Sequence, residues 1–141
     1  MKSVLFLCTG NYYRSRFAEI LFNHLAERDR VAWRASSRGL KIGWPGNIGP
    51  LSKFTEARLR EMGIAWEDCR HMPLRCRTCD LEAADRVIAL KEAEHRAMLE
   101  EYHPGWEKRV EYWHVHDVDG ATPEVALVEI EKLVRDLIAK L

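Results

Sequence analysis

Cys8 and Arg14 bracket the loop Cys8-Thr9-Gly10-Asn11-Tyr12-Tyr13-Arg14-Ser15, which follows the apolar run Val4-Leu5-Phe6-Leu7 and leads into Ala18, Ile20, Leu21, Phe22 and Leu25 at helical spacing. A short unbroken apolar run suits a parallel strand buried on both faces, so the loop joins a strand to the start of a helix. A helix start presents unpaired backbone N–H groups and the positive end of the helix dipole, which together bind a tetrahedral oxyanion. The same field favours a thiolate at Cys8, and the thiolate is the nucleophile. Arg14 offers a planar fork of donors to phosphate oxygens, and Gly10 lets the backbone turn its amides inward. The chemistry open to this set is attack of sulfur on phosphorus. Thr9, Gly10, Asn11, Tyr12, Tyr13, Arg14 and Ser15 hold the phosphoryl oxygens, and no metal or other cofactor is needed.

The elements that must position this loop alternate along the chain. Val4–Cys8, Val31–Ser36, Arg86–Leu90 and Val110–Trp113 read as strands separated by helical patterns, which predicts an α/β fold with a parallel sheet wrapped by helices. Leu51–Met62 is predicted as a helix opened near Pro50 and stopped by Gly63, and Glu92–Tyr102 as another stopped by Pro104-Gly105. Thr122 is a natural N-cap for a last helix with Pro123 in its first turn. Its apolar face is Val125, Leu127, Val128, Ile130, Leu133, Val134, Leu137 and Ile138. In parallel sheets ligands bind beyond the carboxyl ends of the strands, which is where Cys8 falls.

The chain has 141 residues, enough for one domain with a real core, and its 22 basic and 22 acidic side chains balance. No global field argues for nucleic acid or a membrane surface as a partner, and recognition must come from local charge. Neither a membrane-length apolar run nor an internal repeat is present. Four cysteines without a secretory segment imply a reducing, cytoplasmic compartment. Nothing in the pattern fixes an oligomeric state.

The opening Val-Leu-Phe-Leu-Cys-Thr-Gly-Asn-x-x-Arg-Ser resembles the low-molecular-weight protein tyrosine phosphatases and the thioredoxin-linked arsenate reductases that share their fold, and the resemblance runs over nearly the whole chain. Ser37-Arg38-Gly39 falls where that family has Ser-Ala-Gly, His71 at its histidine before the third strand, Ala84 to Leu90 on that strand, and Asp117 where a C-terminal loop supplies an acid. The resemblance implies three layers around four parallel strands and hydrolysis of a phosphorylated protein or small aryl phosphate through a cysteinyl-phosphate. It also implies a left-handed Asn11, Ser15 donating to the thiolate, Ser37 and His71 holding Asn11, and Trp44 as an aromatic wall of the substrate cleft. Trp44 equally suits an aromatic packed on the neighbouring helix.

The departures from the family pattern bear on substrate and regulation. The acid is normally followed by Pro, but Val118 follows Asp117, so Asp119 is the alternative donor. Tyr13 stands where the family often has a second cysteine, which removes that disulfide partner for Cys8. Arg16 replaces the usual Pro and adds charge beside the site unless it points to solvent. Tyr12 replaces a small or aliphatic residue at the substrate mouth, where its ring stacks on an aryl phosphate or blocks a wide substrate; relatives with this loop cleave phosphoarginine, and this position bears on that choice. Cys76-Arg77-Thr78-Cys79, with Cys69 nearby, suits a dithiol, half a zinc site, or two ordinary cysteines opening a helix. The reductases carry relay cysteines after the third strand, where this chain has Lys91-Glu92-Ala93-Glu94-His95-Arg96. Thiol-dependent arsenate reduction and oxyanion binding without turnover are therefore the alternatives to hydrolysis.

Overall fold

In a computed structural model, which describes residues 1–69, 71–115 and 122–141, four parallel strands form one sheet. They are β1 (Lys2–Cys8), β2 (Trp33–Gly39), β3 (Arg86–Ala89) and β4 (Glu111–Tyr112), in the order β2-β1-β3-β4. The α-helices among the described residues are α1 (Arg14–Arg28), α2 (Lys53–Glu61), α3 (Thr78–Ala83), α4 (Glu92–Tyr102) and α5 (Pro123–Ala139). The result is the expected α/β architecture, with the Cys8 loop leaving the end of an inner strand.

Alternation along β1 explains the layering, because successive side chains leave opposite faces of a strand. Val4, Phe6 and Cys8 join a cluster with Phe17, Leu21 and Phe22 of α1, Leu59 of α2 and Ile130 and Val134 of α5. Leu5 and Leu7 join the other cluster, with Leu81 of α3, Leu99 of α4 and Val87 and Ala89 of β3. Both neighbours pair along β1, Cys8 opposite Gly39 and Leu7 opposite Ala89, so the strand that delivers the nucleophile is fixed from two sides.

Several boundaries differ from the sequence reading for identifiable reasons. β2 begins at Trp33, after a turn at Arg30 with φ 57°, and continues through Ser37-Arg38-Gly39 because its end pairs with the end of β1. β4 is only two residues long: Glu111 and Tyr112 pair with Ile88 and Ala89, and Trp113 adds one bond from its N–H to Ala89 O at 2.8 Å. Ser52, not Pro50, opens α2: its hydroxyl accepts from Thr55 N at 3.1 Å. Gly63, at φ 69°, ends that turn, and Ile64 N closes back onto Leu59 O at 2.9 Å. On α5, Thr122 caps and Pro123 opens the helix, but Val125 and Val128 are exposed, so the buried stripe is narrower than the apolar one. Among the described residues no helix is long and apolar enough to cross a membrane, and no group of His, Cys, Asp or Glu is placed to hold a metal.

Candidate active site

Four carbonyls of the phosphate loop are tied to its outside. Leu40 N donates to Cys8 O and Lys41 N to Thr9 O, both at 2.9 Å. Ser52 N donates to Tyr12 O at 2.8 Å, and the Thr55 hydroxyl to Tyr13 O at 3.0 Å. A planar trans peptide sends its N–H opposite to its C=O, so the amides of Thr9, Gly10, Tyr13 and Arg14 turn inward. A concavity of such amides at a helix start is an anion site. Gly10 is not left-handed; instead a side chain there would lie 3.1 Å from Asn47 Nδ2.

Asn11, fully buried, takes φ 50°, which Asn tolerates better than most residues. Its side chain is held at both ends: Leu74 N donates to Oδ1 at 2.9 Å, and Nδ2 donates to Ser37 Oγ at 2.8 Å and Ser15 Oγ at 3.0 Å. Ser15 Oγ, already accepting from Asn11, lies 2.8 Å from Cys8 Sγ with its own proton available to the sulfur. Ser37 Oγ in turn donates to Glu19 Oε1 at 2.6 Å.

Arg14, almost entirely buried, points its terminal nitrogens at Glu94, NH1 to Oε2 at 3.1 Å and NH2 to Oε1 at 3.2 Å. Burial alone would raise the Glu94 pKa, but hydrogen bonds and charge from Arg14, with the Thr9 hydroxyl, hold it at about 2. Glu94 is therefore ionised at neutral pH and is no proton donor there. The Thr9 hydroxyl donates to Glu94 Oε1 at 2.5 Å and lies 3.2 Å from His95 Nε2. Sequence reasoning missed Glu94 and His95. The available signal was their place in the first turn of the helix after β3, at the same sheet edge as Cys8.

Residues 3–141 match the family described as low molecular weight phosphotyrosine protein phosphatase. The chain belongs to that family. Among solved structures it is similar to a low molecular weight protein tyrosine phosphatase from T. tengcongensis, at 31% identity and a TM-score of 0.81 with both chains covered in full. YfkJ from Bacillus subtilis is 27% identical with a TM-score of 0.83, the match covering 99% of this chain and 94% of that one. YwlE from Bacillus subtilis, in a mutant form, shares the fold at 24% identity and a TM-score of 0.80, covering 99% and 98% of the two chains. No curated protein matches in sequence. The protein is a cysteine-dependent phosphatase, and its substrates are phosphorylated.

The phosphatase opens its loop into a cleft of about 980 Å³ with Cys8 and Arg14 among its lining residues. Trp44, 72% exposed, and Ile48, 81% exposed, also line it, with Phe54 and the ammonium-bearing Lys41 and Lys53. Tyr12 lines the cleft with its hydroxyl tethered. Its hydroxyl donates to Ile48 O at 2.6 Å and accepts from Ile48 N at 3.2 Å, which ties the 44–50 loop to the phosphate loop. Tyr13 makes a similar tie at the other side, its hydroxyl reaching Pro123 O at 3.3 Å and its ring meeting Phe54 edge-on.

Two placements correct the sequence reading. Arg16 neither lies beside the anion site nor points to solvent. It is fully buried, bonded to Glu19 Oε1 and His71 Nε2 at 2.7 and 2.6 Å and to the Cys69 carbonyl. Among the described residues His71 does not hold Asn11 directly: its Nε2 faces Arg16 at 2.6 Å and lies 3.9 Å from Glu19, which Ser37 links to Asn11. A Pro at position 16 could make none of these bonds. Cys76 and Cys79 flank the start of α3, whose opening is closed by Arg77 N donating to Asp80 at 2.9 Å. Burial, aided by Asp80, pushes the Cys76 thiol up to about 12, so it stays protonated. Asp117 and Asp119 lie outside the described residues.

Proposed function

We propose that the chain hydrolyses phosphomonoesters through a phosphocysteine at Cys8, with Asp117 as the proton donor, Arg14 and the loop amides as the oxyanion clamp, and a phosphorylated protein or small aryl phosphate as the substrate. The observation that carries this reading is the sulfur of Cys8, 2.8 Å from a serine hydroxyl at the floor of a ring of inward amides. In the first step sulfur attacks phosphorus and the ester P–O bond breaks, while Asp117 protonates the departing oxygen. In the second step Asp117 takes a proton from water, the water oxygen attacks phosphorus, and the S–P bond breaks to release phosphate and thiolate. The Ser15 hydroxyl steadies the thiolate at the start and end of the cycle, and the amides stabilise the equatorial oxygens in both transition states.

The acid comes from 116–121 on this reading. The described chain before it ends at Val115, whose N–H bonds Leu90 O at 2.8 Å at the carboxyl end of the sheet; after it, Pro123 O accepts the Tyr13 hydroxyl. Arsenate reduction has less support. Cys76 packs in the cluster on the face of the sheet opposite Cys8, and its thiol stays protonated.

A substrate panel of 4-nitrophenyl phosphate, a phosphotyrosyl peptide and phosphoarginine tests the proposal. Cys8→Ser should keep phosphate binding and lose hydrolysis by at least about a thousandfold. Asp117→Asn should depress turnover of the peptide more than of 4-nitrophenyl phosphate, whose leaving group needs less protonation. Near-normal hydrolysis by Cys8→Ser refutes the phosphocysteine, and loss with Asp119→Asn in place of Asp117→Asn moves the acid to Asp119.

A further inference from the structure

The phosphate loop is normally read as backbone amides plus one arginine. In this chain the arginine has a support of its own. Two of the five guanidinium donors are committed to Glu94, one to each carboxylate oxygen, which fixes the plane of the fork and not just its position. Glu94 is fixed in turn. Its Oε1 accepts from the Thr9 hydroxyl at 2.5 Å, and Thr9 Oγ1 faces His95 Nε2 at 3.2 Å. The direction of this chain is set at its far end. The Lys91 backbone N–H can only donate, and it points at His95 Nδ1 at 3.1 Å. Nδ1 therefore carries no proton, and the proton of this fully buried imidazole sits on Nε2, aimed at Thr9. With one Thr9 lone pair filled by His95, the Thr9 hydroxyl hydrogen goes to Glu94.

We propose that Glu94, oriented by Thr9 and His95, is a positioning residue that presets the Arg14 guanidinium for the phosphoryl transition state. The inference rests on Arg14 acting as the oxyanion clamp. It assigns a chemical duty to the side chain of Thr9, which otherwise contributes only its amide, and to the first turn of α4. A side chain that moves the fork by a fraction of an ångström changes the bond to a trigonal-bipyramidal phosphorus more than the bond to a ground-state ester, so its loss falls on kcat. A carboxylate that merely competed with phosphate for Arg14 would act in the opposite sense, and its removal would tighten oxyanion binding.

The test uses Glu94→Gln, which keeps the shape and loses the charge, together with Thr9→Val and Thr9→Ser. With 4-nitrophenyl phosphate, Glu94→Gln is expected to lower kcat by about 10- to 100-fold while KM moves far less. Inhibition by vanadate, a mimic of five-coordinate phosphorus, should weaken more than inhibition by inorganic phosphate. Thr9→Val should follow Glu94→Gln, and Thr9→Ser, which keeps the hydroxyl, should recover most of what Thr9→Val loses. An unchanged or raised kcat/KM in Glu94→Gln overturns the proposal, as does equal weakening of vanadate and phosphate or a Thr9→Ser variant no better than Thr9→Val. Calorimetric titration of phosphate into Cys8→Ser and Cys8→Ser/Glu94→Gln keeps the question separate from turnover. If the wild type hydrolyses nothing, the catalytic reading fails, while tighter phosphate binding in the double variant still counts against the clamp.

Discussion

Glu19 and Glu94 are two carboxylates that folding has placed against arginines, and both titrate below their ordinary range. For Glu19, burial works against the charge, but His71, Arg16 and Ser37 together outweigh it. For Glu94 the folded value is about 2 against an ordinary 4.5. A depressed folded pKa means that the unfolded chain takes up protons first as acid is added, so the stability contributed by Glu94 is complete above about pH 4.5 and disappears as pH falls toward 2. The difference in urea midpoint between wild type and Glu94→Gln should therefore be constant near neutrality and shrink below pH 4.5; a difference that grows in acid refutes the assignment. Arg16→Ala should cost about 3 to 5 kcal/mol in urea unfolding, because it strands the buried Glu19. At this scale the sequence was legible where function resides in consecutive residues. The Cys8–Ser15 loop, its left-handed Asn11 and the Ser15 contact with sulfur follow from local order and from a known motif. Arg16, Glu94 and His95 were not, because what each does depends on a partner more than fifty residues away whose proximity only the folded sheet creates.

Among the elements, β2 has the least tolerance for change at its last residue. A side chain at Gly39 would sit 2.5 Å from Ile42 Cγ2, 2.8 Å from Thr9 O and 3.0 Å from Asn11 N, two of those being phosphate-loop backbone. Gly39 N also donates to Leu74 O and Gly39 O accepts from Cys76 N, both at 2.8 Å, so the strand end cannot simply step aside. Gly39→Ala is expected to destabilise the fold by about 1 to 3 kcal/mol. It should also abolish the rise in Tm that added phosphate gives the wild type, and thermal melts with and without phosphate check both effects. The long periodic segments are readable from the sequence: α4 and the start of α5 fall where spacing and capping put them. β4 and the ends of β2 were not, because a two-residue strand has no period to recognise and a strand end is set by what its neighbour pairs with.

At the scale of the whole molecule, the sheet order puts Cys8 at the end of an inner strand, with α1, α2 and α5 behind it and the 44–50 loop in front. The chain has no net charge, so its attraction for phosphate is confined to the cleft, where Arg14, Lys41 and Lys53 gather. Tyr12→Phe removes the hydroxyl that bridges the cleft wall to its floor. It should cost about 1 kcal/mol of stability and reduce the preference for a phosphotyrosyl peptide over 4-nitrophenyl phosphate, read as the ratio of their kcat/KM values. An unchanged ratio would mean that the wall holds itself. The same bridge carries an implication for descent. Since one side chain joins the loop around Cys8 to the wall of the cleft, a mutation at position 12 reaches both together, whereas one at Trp44 or Phe54 alters the wall by itself.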